Sequence, residues 1–106
     1  MLIRRLAESD RDQVLEISRQ TWDGHDYLGT VFDEWVNDPK CDFVGVVVEG
    51  RVVAVGNLRL IEGGRTGWLE GLRVHLEFRG RGYANEITDY LVAEGKRLGV
   101  GRLRYT

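Results

Sequence analysis

The sequence predicts a single domain of the α/β class, with helices packed against a mixed β-sheet (α+β mixed sheet). Three observations predict this fold class. The chain has 106 residues, which is enough for one hydrophobic core and too few for two. Hydrophobic residues make up 42% of the chain and charged residues 30%, a balance typical of globular proteins. Segments with helical periodicity lie on both sides of a central region rich in β-branched residues, so both kinds of element are expected.

The composition also excludes several classes of protein. The single cysteine, Cys41, excludes an internal disulfide and a zinc site made of several cysteines. The longest apolar run, from Phe43 to Val48, is far shorter than the ~20 residues that a membrane-spanning helix needs. The start of the chain has no apolar block typical of a signal peptide. We therefore expect a soluble cytoplasmic domain that binds no metal.

The first predicted elements are a strand and a helix. Residues 2–6 place apolar side chains on one face of a short strand. Ser9 or Asp10 then caps a helix, and Asp10 followed three residues later by Gln13 has the form of a capping box. Apolar residues over 14–17 give this helix a side that can face the core.

A connecting segment leads to a second helix. We interpret residues 22–28 as this connection, with Gly24 in a turn. Residues 30–37 place their apolar side chains on one stripe, which is typical of a short amphipathic helix. Pro39 ends the helix, because the residue before a proline avoids the helical conformation.

Three strands follow in the centre of the chain. Residues 43–48 and 52–60 are rich in β-branched side chains, which favour strands. Residues 49–51 between them have the composition of a hairpin loop. A second hairpin at residues 62–65 leads to a strand from Thr66 to about residue 75.

The last third of the chain predicts a loop, a helix and a strand. The loop at residues 77–83 contains two glycines. Residues 82–98 have apolar side chains at helical spacing, and Gly99 is suited to end this helix. Residues 100–106 begin another strand, which gives the element order β-α-α-β-β-β-α-β. The last two strands should be parallel, because a helical crossover joins them.

The charges are divided unevenly between the two halves of the chain. Residues 1–50 carry a formal charge of −6 and residues 51–106 a charge of +4. This division suggests that an anion binds the second half. Solvated surface faces are the alternative explanation, and the charge pattern alone does not decide between them.

One segment carries a recognisable binding motif. Residues 79–84 read Arg-Gly-Arg-Gly-Tyr-Ala and lie between a predicted strand and a predicted helix. Glycines let the backbone approach a ligand closely, and successive N–H groups before a helix can bind an anion. A diphosphate is the expected ligand. A dinucleotide-binding fingerprint would need a third glycine where Asn85 stands, and a P-loop would need Gly-Lys-Ser/Thr.

The same residues carry a resemblance to a known family. Arg79, Gly82 and Ala84 satisfy Q/R-x-x-G-x-G/A, the acetyl-CoA signature of the GNAT superfamily of N-acetyltransferases. Residues 70–82, EGLRVHLEFRGRG, look like the fourth strand and the following turn of that family. The predicted element order matches as well, so the resemblance covers the whole chain, residues 1–106, as a single domain.

The resemblance implies where acetyl-CoA binds. The pantetheine arm would pair with the backbone near Leu72 and Val74, and the Val74 N–H would polarise the thioester carbonyl. Gly71 is a plausible bulge that opens the sheet for it. The cofactor-binding residues implied are Leu72, Val74, Arg79, Gly80, Arg81, Gly82, Tyr83 and Ala84.

The resemblance also suggests a catalytic base and an acceptor. Glu70, four residues before Val74, would take the proton of the amine, directly or through water. The alternative is that Glu70 is a strand glutamate paired with an arginine. A narrower resemblance, to histidine N-acetyltransferase-like members, rests on residues 23–28, Trp35, Asp38-Pro39 and the run that begins at Glu70. It implies the α-amine of an amino acid or of a similar small molecule as the acceptor.

Several residues near the predicted connection have competing interpretations. Asp26, Tyr27, Trp22 and Trp35 would line the acceptor pocket, or else belong to a tryptophan-rich core with a capping aspartate. His25 beside Asp26 has the form of a catalytic pair, but a surface turn is the simpler interpretation. A calcium loop starting at residue 23 fails at its third, fifth and sixth positions. We assign no role to His75 or Cys41.

The sequence departs from the family pattern at its end. Leu76 stands where the family usually has proline, and the usual C-terminal helix and two further strands are missing. Tyr105 lies too early in the element order to match the family's tyrosine acid, so we assign no general acid. We therefore expect a C-terminally incomplete domain whose open sheet edge favours a homodimer.

Three functions follow from these observations. The first is transfer of an acetyl group from acetyl-CoA to a primary amine of a small molecule (amino acid or polyamine-like) or a peptide, by direct attack in a ternary complex. The alternative is a non-catalytic acyl-CoA-binding or assembly module built on a partial fold. Nucleic-acid binding through the arginines of the second half is the third, and the acidic net charge of −2 argues against it.

Overall fold

The computed structural model describes residues 1–21 and 26–105. One five-stranded sheet, in the order β1-β2-β3-β4-β5, carries helices on both faces. No helix in these two ranges is long and apolar enough to cross a membrane. The elements are β1 (Leu2–Arg5), α1 (Arg11–Arg19), α2 (Leu28–Asn37), β2 (Cys41–Val48), β3 (Arg51–Ile61), β4 (Thr66–Val74), α3 (Tyr83–Arg97) and β5 (Arg102–Tyr105).

The predicted element order and the mixed sheet are confirmed. Strands β1 to β4 pair antiparallel with their neighbours, and β5 pairs parallel with β4. The loop between β2 and β3 is shorter than predicted, because Arg51 already pairs with Val48 and only Glu49 and Gly50 turn the chain. Both turn residues have positive φ, as the tight turn of a two-residue hairpin requires.

The two faces of the sheet pack against different helices. Because successive side chains of a strand point to opposite faces, Phe43 packs with Phe32 and Trp35 of α2, whereas its neighbour Val44 packs on the side of α3. On that second side, Ile87 contributes to the core one turn before Leu91. Helices α1 and α2 thus cover one face, and α3 covers the other.

The start of α1 differs from the sequence prediction. Asp10 does not cap α1 through its side chain; its carboxylate accepts the backbone N–H of Ala7 at 2.8 Å and pairs with Arg4 at 2.8 and 2.9 Å. Gln13 instead accepts the backbone N–H of Val52 at 2.7 Å. The capping-box prediction was therefore wrong, because these side chains bond to the preceding turn and to β3.

The ends of the other helices follow the sequence closely. Helix α2 begins two residues earlier than predicted, at Leu28, and the predicted turn at Gly24 lies outside the described residues. Gly99 ends α3 with a φ of 78°. The N–H groups of Gly99 and Val100 donate to the carbonyls of Lys96 and Gly95, the pattern of a Schellman motif.

Candidate functional site

A cavity of about 490 Å³ lies between the second half of β4 and the start of α3. Of the eight residues that the resemblance assigns to the cofactor, all but Arg81 line this cavity. The Arg81 guanidinium lies over the ring of Phe78, 5.0 Å from the ring centroid, and Phe78 also lines the cavity. The predicted binding loop and the predicted strand edge therefore meet at one place.

The loop before α3 has the backbone that its glycines suggest. Gly80 and Gly82 have φ values of 76° and 85°, in the left-handed region that side chains other than glycine rarely adopt. Space around both Cα atoms is open, so the requirement comes from the backbone and not from crowding. Gly82 precedes the first turn of α3, whose free N–H groups and partial positive charge favour an anion.

His75 contacts the backbone between β4 and this loop. Its Nδ1 accepts the backbone N–H of Glu77 at 3.1 Å, and its Nε2 lies 2.9 Å from an Arg51 guanidinium nitrogen and 3.1 Å from the Gln20 amide nitrogen. The side chain is only 3% exposed. The hydrogen bond from Glu77 to this buried histidine fixes the backbone at the end of β4, a role that the sequence prediction had not assigned.

The bulge predicted at Gly71 is present in β4. The register between β3 and β4 shifts there, so that Gly71 and Leu72 both stand opposite Gly56. Gly71 has a φ of 70°, and an added Cβ would lie 2.6 Å from the ring of Trp35. The bulge keeps Glu70 on the face of α1 and α2 and turns Leu72 toward α3.

The backbone of β4 beyond the bulge has one edge directed away from β3. The N–H of His75 donates to the carbonyl of Val53 at 2.8 Å, so alternate residues of β4 point toward β3. Leu72 and Val74 consequently direct their N–H and C=O groups to the opposite edge. There the Nε of Arg79 donates to the Val74 carbonyl at 3.2 Å. In the described chain, β5 pairs with residues 66–69 only.

Glu70 lies on the other side of the sheet in a network of polar side chains. It accepts hydrogen bonds from Asn57 Nδ2 at 3.2 Å and from Arg59 Nη2 at 3.3 Å. Burial raises the pKa of the Glu70 carboxyl, and this effect outweighs the opposing effects of Arg59 and Asn57. The charge of Glu34 raises the pKa further. Glu70 is thus paired with an arginine, and its pKa is also raised in the direction that a general base needs.

The predicted acceptor-pocket residues are only partly brought together. Asp26 forms an ion pair with Arg73 at 2.8 Å, and its side chain is fully buried. The Arg73 guanidinium lies 5.4 Å from the centroid of the Tyr27 ring, which contacts Trp35 edge to face. Trp35 itself is a core residue with 4% exposure. Trp22, His25 and the start of the rejected calcium loop lie outside the described residues.

Three functional candidates were missed by the sequence analysis. Asn57, Arg59 and Arg73 hold the polar groups around the site; Asn57 and Arg59 belong to no motif, and Arg73 lies within residues 70–82 but was given no role. A signal existed for Asn57, because it interrupts an apolar strand and is fully buried. A polar residue at such a position needs partners, which indicates a polar cluster nearby.

Comparison with known proteins identifies the family of this chain. The model of the acetyltransferase (GNAT) family matches residues 9–106. The chain therefore belongs to the acetyltransferase (GNAT) family.

Individual relatives can also be named. Histidine N-acetyltransferase of Xenopus tropicalis is 31% identical over 86 residues, which are 81% of this chain and 26% of that protein. Histidine N-acetyltransferase of Oreochromis niloticus is 34% identical over 81 residues, covering 76% of this chain and 24% of the relative. Probable N-acetyltransferase 16 of Homo sapiens is 36% identical over 78 residues, covering 74% and 21%. The chain thus spans about a quarter of the length of the curated relatives that it matches.

Solved structures show the same fold. A putative acetyltransferase from Agrobacterium tumefaciens str. C58 superposes with a TM-score of 0.85 and 16% identity, covering 100% of this chain and 81% of that one. An aminoglycoside 6'-N-acetyltransferase complexed with coenzyme A superposes with a TM-score of 0.81 and 22% identity, covering 94% and 58%. At these identities the likeness establishes the fold.

Proposed function

We propose that this chain binds acetyl-CoA and transfers its acetyl group to a primary amine. The family to which the chain belongs uses acetyl-CoA as its acetyl donor. The observation that carries the proposal is the cavity of about 490 Å³, in which the glycine loop, the start of α3 and the outer edge of β4 meet. The glycine loop and the start of α3 suit the negatively charged diphosphate of the cofactor. The outer edge of β4 suits its extended pantetheine arm.

The diphosphate would lie against the loop before α3. The left-handed Gly80 and Gly82 present backbone N–H groups without obstruction by side chains. Arg79, Arg81 and the positive end of α3 would add favourable charge, together with contacts from Tyr83 and Ala84.

The pantetheine arm would pair with β4 like an added strand. Leu72 and Val74 direct their backbone groups to this edge, and the Arg79 side chain that now bonds the Val74 carbonyl would move to the phosphates. The Val74 N–H would then donate to the thioester carbonyl and stabilise the negative charge that develops on its oxygen.

Glu70 would act as the general base. A lysine-like amine with a pKa of about 10.4 is almost entirely protonated near neutral pH, and only the neutral amine is nucleophilic. Burial raises the pKa of Glu70, which fits it to take this proton directly or through water. The amine nitrogen then bonds to the thioester carbon, the carbon–sulfur bond breaks, and CoA leaves as a thiolate that takes up a proton.

The acceptor is the α-amine of an amino acid or a similar small molecule. This proposal is supported by the relatives named histidine N-acetyltransferase at 31% and 34% identity. The Asp26–Arg73 ion pair beside Tyr27 is consistent with this proposal. It holds one end of the connection between α1 and α2 against β4, where the acceptor pocket is expected. A homodimer through the sheet edge remains a prediction.

Turnover tests the proposed function. The chain is mixed with acetyl-CoA and L-histidine, and free CoA thiol is measured over time. We expect thiol release that depends on the amine. Binding of acetyl-CoA without any release by L-histidine, lysine or spermidine would contradict acetyl transfer and favour the non-catalytic acyl-CoA-binding module.

A further inference from the structure

Arg59 forms an incomplete ion pair with Glu70. Its Nη2 donates to Oε1 at 3.3 Å, and its Nε lies 3.1 Å from Oε2. The Nε–H is nevertheless buried without a hydrogen-bond partner in the described chain, because the geometry is poor. The Arg59 side chain is 40% exposed, whereas the Glu70 side chain is 9% exposed. The guanidinium therefore lies between the carboxylate and solvent, with donors to spare.

This arrangement works against a base. Arg59 lowers the pKa of Glu70, in opposition to burial and to Glu34. It also occupies carboxylate oxygens that must receive the proton of the acceptor. Without the arginine, Asn57 would be the remaining hydrogen-bond donor to the carboxyl among the described residues, so the presence of Arg59 beside the proposed base requires another explanation.

We propose that Arg59 binds the carboxylate of the acceptor and so restricts the reaction to free amino acids. The proposal rests on the function proposed above. An amino acid carries its amine and its carboxylate on one carbon, and Glu70 and Arg59 present the complementary groups side by side. A guanidinium binds carboxylates through two parallel hydrogen bonds, a geometry that its loose contact with Glu70 leaves incomplete.

Binding of the acceptor would also release Glu70. The substrate carboxylate competes for the guanidinium, so Glu70 loses its hydrogen bond from Arg59 as the amine arrives. An amine without a carboxylate would leave the Arg59–Glu70 pair closed. The acceptor thus activates the base that deprotonates it.

Asn57 keeps Glu70 in place during this exchange. Its side-chain amide is fully buried and donates to Glu70 Oε2 at 3.2 Å, with Cys41 Sγ 3.4 Å away. Glu70 therefore retains one fixed partner when Arg59 turns to the substrate.

Arginine side-chain NMR tests the proposal without turnover. The Nε–H signals of the ¹⁵N-labelled chain are recorded with saturating CoA, and the Arg59 signal is assigned by its loss in Arg59→Lys. We expect L-histidine to shift this signal and L-histidinamide, which has the α-amine but no carboxylate, to leave it in place. A signal that stays unmoved by L-histidine, or moves equally with both compounds, overturns the proposal.

Kinetics provides a second test with a matched control. The ratio of kcat/KM for L-histidine to that for L-histidinamide should fall about 10- to 100-fold in Arg59→Gln, the range expected for a lost charge-assisted pair. Arg65→Gln, which removes an exposed arginine from a hairpin on the same sheet, should leave the ratio unchanged. An unchanged ratio in Arg59→Gln overturns the role of Arg59, whereas failure to acetylate either amine contradicts the proposed function.

Discussion

The two faces of the sheet carry two different kinds of polar site. On the side of α3, the cavity brings together two left-handed glycines, the first turn of a helix and the outer edge of β4, and side chains such as Phe78 and Tyr83 complete its lining. On the side of α1 and α2, the network around Glu70 is formed by side chains from β2, β3 and β4. The first site should therefore depend most on the backbone conformation of its glycines and on the charges of Arg79 and Arg81, whereas the second should depend on each polar side chain of the network.

Removal of the Glu70 charge should have the largest effect on activity, and it should leave the cofactor site on the other face unaffected. Glu70→Gln keeps the shape and can still bond to Asn57, but it cannot accept the proton of the amine. We expect kcat to fall by about 100-fold or more, the range for loss of a general base. The affinity for acetyl-CoA, measured by calorimetry, should remain that of the native chain. A kcat within a few fold of native would show that Glu70 is only a paired strand residue.

Gly71, at the bulge between the two sites, should be the glycine whose substitution lowers the stability of the protein most. Gly71→Ala adds a Cβ 2.6 Å from Trp35 at a φ of 70°, so both crowding and backbone strain oppose it. We expect the free energy of unfolding to fall by about 3 kcal/mol. Gly50→Ala is the control, because Gly50 has a φ of 78° but open space around it; its cost should be about 1 kcal/mol. Urea denaturation measures both, and equal costs would refute the crowding at the bulge.

Two ion pairs sharpen the contrast between buried and exposed charges. Asp26→Asn leaves Arg73, 16% exposed, facing a neutral amide, and should destabilise the protein by about 2 kcal/mol. Asp33→Asn removes the partner of Arg11 in a pair exposed by 62% and 40%, so its effect should be below about 0.5 kcal/mol. Thermal unfolding of the two variants gives the comparison. A larger loss in Asp33→Asn would contradict the burial of the Asp26–Arg73 pair.

The contributions of Asp10 and Glu70 to the stability of the protein should change with pH in opposite directions. Hydrogen bonds from Arg4 and Ala7 lower the pKa of Asp10, so its contribution to stability is present at neutral pH and is lost as the pH falls through the acid range. Burial raises the pKa of Glu70, so folding favours its protonated form and stability is lost as the pH rises through its folded-state pKa.

Urea denaturation of two variants at about pH 4 and pH 7 tests this pair. The cost of Asp10→Asn should grow from the lower to the higher pH, whereas the cost of Glu70→Gln should shrink. Parallel trends in the two variants would contradict the assigned directions.

The contrast between the two sites also explains what the sequence could predict. A glycine next to a helix marks a position where the backbone can adopt a positive φ, so the loop at Gly80 and Gly82 and the end of α3 at Gly99 follow from the local sequence alone. The bulge at Gly71 was predictable for the same reason. These features need no knowledge of what lies opposite in the sheet.

The side-chain network could not be predicted in this way. Asn57 faces Glu70 only because of the register of β3 and β4, which shifts at the bulge. Asp10 and Gln13 have the spacing of a capping box, but Arg4 and the Val52 N–H compete for the same oxygens and bind them. Where a polar side chain can choose between a local and a distant partner, the sequence pattern leaves the choice open.

Calorimetry with acetyl-CoA is the most direct test of the proposed cofactor site. The native chain is compared with Gly82→Asp, which places a carboxylate at the proposed diphosphate position, and with Gly50→Asp, which makes the same change at a glycine of similar φ in the β2–β3 hairpin, outside the lining of the cavity. We expect the native chain and Gly50→Asp to bind alike and Gly82→Asp not to bind. Equal binding by all three, or no binding by the native chain, would contradict the assignment of the cavity at α3 as the cofactor site.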